Sequence, residues 1–248
     1  MKFVILIPTY NESDSIVELL ERLSTLHNTY ALDVIVIDDN SPDKTGDIVD
    51  NLNLSWASVL RRVKKDGLGN AYRAAIREIL NLDKYSHIIS MDADGSHQVA
   101  DLEKLITEAG ENPGSVILGT RWMTGGSVVN WPRYRQFLSR SGTRYAQRVL
   151  RIPLRDLTGG FRIYPVALIK QLNIDNLVAN GYCYQIEMVI ALNYLDAQFI
   201  EVPITFIERE NGKSKMNRAI VIEALWQTTV WGVKHAVRPN ADKLHYVK

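Results

Sequence analysis

The sequence predicts an α/β fold, a doubly wound and mostly parallel sheet flanked by helices, on three observations. Short, largely apolar runs recur at 3–7, 34–37, 87–91 and 115–119, with the length and texture of strands buried on both faces. Stretches with helical periodicity separate them. Acidic side chains directly follow two of the runs, at Asp38-Asp39 and most sharply at Asp92-Ala93-Asp94-Gly95. Ligands of open α/β sheets gather beyond the carboxyl ends of the strands, so those acids stand where a substrate would bind.

Each element has its own warrant. The run 3–7 stops at Pro8 as a buried parallel strand would, and Ser15 with Glu18 offers a capping box for a helix whose apolar face includes Ile16, Leu19, Leu20 and Leu23. A second strand at 34–37 is followed by Asp38, Asp39 and Asp43 and by a helix over 45–52. A weaker strand at 59–63 leads through the glycine-bearing turn 64–71 into a helix ending near Leu80. Strands follow at 87–91 and 115–119. After Gly119 the composition turns to Gly, Trp and Thr, and a long helix over 133–150 carries Arg133, Arg135, Arg140, Arg144 and Arg148. A turn at 156–162, a helix at 185–195, a short strand at 199–202, a loop at 209–216 and a closing helix at 218–235 complete the chain.

The 248 residues, 46% of them hydrophobic, suffice for one sizeable core. One catalytic domain is expected over 1–235, with 236–248 as a C-terminal tail. Lys and Arg number 29 against 28 Asp and Glu, so no global basic field exists to gather nucleic acid, and anion recognition must be local. The single Cys183 excludes an internal disulfide framework and a Cys-rich zinc site and fits a reducing compartment. The N-terminal run is too short for a signal peptide, and no segment reaches the roughly 20 apolar residues of a membrane span.

Asp92 and Asp94 are hard oxygen ligands suited to Mg or Mn, shared with substrate phosphates, and a nucleoside diphosphate is the natural guest. Taken alone, the segment also reads as a polar turn after a buried strand. Likewise Tyr10 alone reads as core packing, and Arg135 alone as a surface cation.

The ordered set Pro8-Thr9-Tyr10-Asn11-Glu12, Asp38 to Asp43, Gly67 to Tyr72, Met91 to His97, Gly119 to Trp122, Asp156 to Arg162 and Gly212 to Lys215 resembles the polyprenol (dolichol) phosphate mannosyltransferases, a branch of the family-two inverting glycosyltransferases. The resemblance spans residues 1 to about 235, and the segments 122–145 and 202–209 look closest to the actinobacterial members. It implies a glycosyltransferase A-type, Rossmann-like fold that transfers mannose from GDP-mannose to a polyprenyl phosphate with inversion. Residues 1–119 would form the nucleotide-sugar half and 120–235 the acceptor half. On this resemblance Pro8, Tyr10, Glu12, Val36, Asp38 and Lys65 hold the donor's base and ribose. Asp92, Ala93 and Asp94 take the donor and a divalent cation, Mg or Mn, with Ser96 at the position of a third ligand. Arg121, Arg135 and Ser139 take the acceptor phosphate, and Arg209 and Lys215 hold the donor diphosphate from a loop made pliable by Gly212. Asp94, Arg121, Arg135 and Ser139 would be the catalytic set, while Asp156 and Arg162 have a supporting role.

Where the family commonly has proline two residues after His97, this chain has Val99, a departure that touches loop stiffness more than chemistry. The chemistry agrees with the assignment. Guanidinium forks and a hydroxyl suit a phosphate monoester, and Arg135 and Ser139, four apart, share a helix face. A lipid phosphate is already anionic and attacks without a side-chain base, so His97 is not needed as one. The lipid tail calls for an apolar surface, for which Trp122, Met123, Val128, Val129, Trp131, Trp226, Val230, Trp231 and Val233 are candidates, though core packing explains the last four as well. A peripheral place at the cytoplasmic face of a membrane is expected, with a membrane protein as a conceivable partner. The residues alone leave open another donor such as UDP-glucose, a sugar-hydroxyl acceptor, and a noncatalytic nucleotide-binding module. A nucleotidyltransferase is disfavoured because residues 8–13 contain no glycine.

Overall fold

The structure, a computed structural model, describes residues 1–181, 183–208, 218–237 and 239–248. Its main sheet has seven strands in the order β3-β2-β1-β4-β7-β5-β8: β1 (Phe3–Thr9), β2 (Leu32–Asp38), β3 (Ala57–Arg61), β4 (His87–Ser90), β5 (Val116–Thr120), β7 (Arg162–Pro165) and β8 (Phe199–Pro203). Along β1 the side chains alternate, with Val4 and Leu6 in one core and Phe3, Ile5 and Ile7 in the other. Both faces are therefore covered, and each aliphatic side chain so buried contributes roughly 1.5–3 kcal/mol. Helices α1 (Ser13–His27) and α4 (Val99–Glu111) lie on the second face, and α3 (Leu68–Leu82) and α7 (Tyr184–Asn193) on the first.

The register places the site. β1 pairs in parallel with β2 up to Thr9 opposite Asp38, and with β4 up to Leu6 opposite Ser90. The polar residues that follow these strands thus emerge on one rim. The sheet is mostly parallel, as expected, and its antiparallel member is β7, which runs against both neighbours, with Ser90 opposite Arg162 and Ile117 opposite Ile163. Running backwards, β7 begins where the others end. That delivers the turn 156–161 to the same rim as Asp92.

Other elements differ from expectation in detail. The Ser15–Glu18 capping box does not form: α1 begins at Ser13, whose backbone N–H donates to Asp43 Oδ2 at 3.0 Å, so a neighbouring loop supplies the cap. β3 starts two residues earlier than the sequence suggests, leaving Val63 90% exposed. A second, two-stranded sheet pairs β6 (Ser127–Val129) with β9 (Thr205–Ile207), two segments to which the sequence assigns no element. Helix α2 (Thr45–Asn51) is as expected, α5 (Arg133–Leu150) has the expected bounds, and α6 (Val166–Ile169) is a single turn.

Helix α8 (Arg218–Val237) packs on α5 at Gly232, where an added Cβ would stand 2.3 Å from Val149 Cγ1. Only hydrogen fits there. The last helix, α9 (Pro239–Tyr246), falls in the stretch read as a tail. Its Tyr246 is buried, stacked on Tyr194 with ring centroids 5.9 Å apart, and Val247 bridges to Leu172.

Candidate active site

At the end of β4 the chain turns through Gly95, whose φ of 73° favours a residue without Cβ. The Asp94 carboxylate accepts the Ser96 N–H at 3.1 Å, and the Asp92 N–H donates to His97 Nδ1 at 3.1 Å. His97 is 2% exposed, stacked on Phe161 at 4.6 Å and edge-on to Phe206. Burial pushes its imidazole below the ordinary range, against the pull of Asp92 and Asp94. A neutral ring with Nδ1 as acceptor carries its proton on Nε2, which faces Asp92 Oδ2 at 3.8 Å. His97 therefore shapes the acidic turn. Val99 opens α4 at the first helical position, a place that proline also suits, so its substitution leaves the turn intact.

Across the rim, Arg121 is buried and gives Nε and one terminal nitrogen to the two oxygens of Asp156, at 2.7 and 2.8 Å, with a further bond to Thr158 Oγ1. Burial alone would raise the Asp156 carboxyl. The charge and hydrogen bonds of Arg121, with the charge of Arg162, hold it below its ordinary value. The Arg121 guanidinium lies 5.4 to 5.6 Å from the ring centres of Trp122, Trp131 and Phe206. Part of the fork expected to meet a phosphate is thus committed inside the fold.

Arg135 lies 4.1 Å above the Trp131 ring and is ion-paired with Glu208, while its buried Nε has no partner among the described residues. Ser139, one helical step further, lines the same space. That space is a cavity of about 560 Å³ lined by Asp92, His97, Arg121, Arg135 and Ser139 and by the apolar side chains of Leu138, Ala146, Ile186 and Leu225 from α5, α7 and α8.

The other expected donor residues sit at the ends of β1 and β2. Asp38 is 5% exposed and its oxygens accept from Thr9 Oγ1 at 3.2 Å, Ser41 Oγ at 2.5 Å and Ser41 N–H at 3.2 Å. The backbone N–H groups of Asn11, Glu12 and Ser13 donate to Ser41, Thr45 and Asp43, stapling the loop after β1 to the loop after β2. Lys65 Nζ stands 3.9 Å from the Tyr10 ring centre, a cation over an aromatic face. Pro8 is partly exposed on β1 and Ala93 is buried beside Asp92, whereas Val36 is fully buried in the core and presents no side-chain surface to a ligand. Arg209, Gly212 and Lys215 lie outside the described residues.

Arg162, 1% exposed, spends its guanidinium on the carbonyls of Gly159, Gln185 and Leu157, locking the 157–160 turn to α7. The structure also adds two residues that sequence reasoning passed over. Gln185 lines the cavity, and Glu208 holds Arg135. The one sequence signal for Gln185 was a polar residue, with Glu187 beside it, in a helix otherwise almost wholly apolar. Among the described residues no group of three or more His, Cys, Asp or Glu is arranged to hold a metal. Asp92 and Asp94 at one strand end nonetheless fit a cation that draws its remaining ligands from a substrate's phosphates, and the buried Ser96 Oγ has no partner among the described residues.

The family model described as glycosyl transferase family 2 matches residues 4–172. An undecaprenyl-phosphate mannosyltransferase of Micrococcus luteus is 40% identical over 94% of this chain and 95% of its own. A polyprenol monophosphomannose synthase of Mycolicibacterium smegmatis is 35% identical, over 93% and 87% of the two chains. A dolichol-phosphate mannosyltransferase of Pyrococcus furiosus is 32% identical over 91% of this chain and 62% of its own. Among solved structures, glucosyl-3-phosphoglycerate synthase from Mycobacterium tuberculosis, in complex with Mn2+, UDP and phosphoglyceric acid, superposes with a TM-score of 0.68 at 15% identity, covering 94% of this chain and 77% of that one. Mannosyl-3-phosphoglycerate synthase from Rubrobacter xylanophilus superposes with a TM-score of 0.65 at 15% identity, covering 98% and 75%. At that identity these two structures speak for the fold alone.

Proposed function

The chain belongs to glycosyl transferase family 2, in its polyprenol-phosphate mannosyltransferase branch, and on that premise we propose that it transfers mannose from GDP-mannose to a polyprenyl phosphate, giving the β-linked lipid phosphate sugar and GDP. The observation that carries this reading is a cavity lined by the Asp92 carboxylate, by Arg121, Arg135 and Ser139, and by apolar side chains of α5, α7 and α8. A phosphate monoester on a hydrocarbon tail has that polarity.

The pocket around Tyr10, Glu12, Asp38 and Lys65 takes the nucleoside, and the rim at Asp92 and Asp94 takes the diphosphate. Those two carboxylates would hold the divalent cation, with Ser96 Oγ beside them. When bound, such a cation neutralises charge on the departing diphosphate. Arg135 and Ser139 grip the acceptor phosphate, while the paired Arg121 supplies a fixed positive charge from a water-poor aromatic cage. The phosphate oxygen attacks the anomeric carbon as the bond to the diphosphate breaks, so the centre inverts. Arg209 and Lys215, from the segment after β9, are assigned to the leaving group. Positioning and charge do the work, and no side chain needs to remove a proton.

The lipid surface is met by α5 and α8. Tyr134 and Phe137 are 74% and 72% exposed on α5, Trp226 is 69% exposed on α8, and Arg133, Arg140 and Arg144 stand exposed among the α5 aromatics. Aromatics among cations suit an anionic headgroup layer, here at the cytoplasmic face. No helix among the described residues is long and apolar enough to cross a membrane. Trp231, by contrast, is buried in the α5–α8 core, so the aromatic stripe of the closing helix divides between packing and display.

Radiolabel transfer to a short polyprenyl phosphate in detergent, with Mn or Mg, tests the reading. Organic-extractable, mild-acid-labile product from GDP-mannose but not from UDP-glucose is expected. Product from UDP-glucose alone would keep the mechanism and overturn the donor. No lipid product from either would overturn the acceptor.

A further inference from the structure

The mechanism above leaves unused a buried amide on the cavity wall. Gln185 is 3% exposed, and its Oε1 accepts from the Tyr164 hydroxyl at 3.2 Å. Its Nε2 has no partner among the described residues. A buried N–H left unpaired is costly, and a fold keeps one where a ligand will pair it. The amide is also rigidly placed, because its own backbone carbonyl accepts from Arg162 at 2.6 Å while Arg162 holds the facing 157–160 turn.

Gly160 shows what lies opposite. A Cβ added there would stand 3.6 Å from Gln185 Nε2 and 3.7 Å from Asp92 Oδ1. The missing side chain therefore leaves a gap with a neutral donor on one side and an anionic acceptor on the other. An anionic oxygen at this spot would meet the Asp92 carboxylate. A hydroxyl suits both walls, since it donates its hydrogen to Asp92 and accepts from the amide. The orientation of the amide agrees, because the flipped form would turn its oxygen toward that carboxylate.

Resting on the donor assignment above, we infer that Gln185 is a specificity-determining residue that binds a hydroxyl of the transferred sugar in the gap over Gly160. A sugar with that hydroxyl inverted leaves Nε2 unpaired and withdraws the hydroxyl from Asp92, and sites built to bond a hydroxyl reject such analogues strongly.

The test compares binding of GDP, GDP-mannose and GDP-glucose to the full chain with Mn, for wild type, Gln185→Leu and Gly160→Ala. Gln185→Leu is expected to bind GDP normally, to bind GDP-mannose roughly tenfold more weakly, and to lose preference between the two sugars. Its thermal midpoint should hold or rise, since an unpaired buried donor has gone. Gly160→Ala, in ordinary van der Waals reach of its neighbours, should likewise spare GDP and weaken only the sugar nucleotides. Equal loss of GDP and GDP-mannose affinity in either variant, or a selectivity unchanged in both, would overturn the inference. Should Gln185→Leu fail to fold, Gly160→Ala decides alone. Absence of mannosyl transfer by the wild type would overturn the donor reading instead, and that is scored separately.

Discussion

The two sides of the site are built on opposite rules. On the nucleotide side, the loops after β1 and β2 spend their polar groups on each other: Asp38 on Thr9 and Ser41, Asp43 on Ser13 and Thr45, Asp39 on Arg62. None of the buried side-chain atoms left unpaired among the described residues belongs to them. On the facing side, where the transferred sugar and the acceptor meet, Ser96 Oγ, Arg135 Nε, Gln185 Nε2 and the indole N–H groups of Trp122 and Trp131 are all buried without partners among the described residues. The first region is a finished frame, and the second holds donors in reserve. Binding should cost the frame little reorganisation, whereas the facing side gains its missing bonds only when substrate arrives.

The largest effect separates charge from frame at the rim. Asp94→Asn keeps an oxygen for the Ser96 N–H but removes the charge opposite the diphosphate. Turnover should fall about a thousandfold or more with the thermal midpoint unchanged. Full transfer by this variant, with chelator present, would remove the metal-bridged diphosphate from the mechanism.

Asp156→Asn breaks the buried ion pair behind the cavity wall. It strands the Arg121 guanidinium, and loss of one partner of such a pair costs about 3–5 kcal/mol, read as a lower urea midpoint. Because the folded-state carboxyl lies below its ordinary value, its contribution is present above about pH 4 and fades as pH falls through that lowered value. Wild-type stability should therefore be insensitive to this group between about pH 5 and 8. Next in size, the double variant Phe137→Ser with Trp226→Ser removes two exposed aromatics. Cosedimentation with anionic vesicles should drop by roughly tenfold or more, while transfer to a short, detergent-dispersed acceptor persists. Undiminished vesicle binding would move the lipid contact elsewhere.

How legible all this was depended on sequence distance. The strands β1, β2, β4 and β5 and the Asp92-Asp94 turn are local patterns, so periodicity and a glycine were enough to find them. Strand β7 was missed because four residues after a Gly-Gly turn carry no periodicity, and nothing local says which way a strand runs. Arg121 and Arg135 were identified, but their partners Asp156 and Glu208 lie 35 and 73 residues away. A free guanidinium and a paired one look identical in sequence. Gln185 was hidden for a related reason: its value lies in what the fold withholds from it.

Glu208 gives the finest test of the contrast. It follows β9, donates its backbone N–H to the Val129 carbonyl, and sets its carboxylate on the Arg135 guanidinium that the acceptor phosphate needs. If the acceptor side holds its donors in reserve, that carboxylate competes with the phosphate, and Glu208→Gln should lower the acceptor KM about threefold without changing the KM for GDP-mannose. Arg135→Ala should move the acceptor KM the other way, by roughly tenfold or more. Both side chains are partly exposed, at 18% and 22%, so the Glu208→Gln gain should shrink as ionic strength rises. An acceptor KM that instead rises in Glu208→Gln would mean that Glu208 aims Arg135 rather than competing for it. The acceptor side would then be pre-built by internal pairing just as the nucleotide side is, and the reserve would reduce to Arg135 Nε, Ser96 and Gln185.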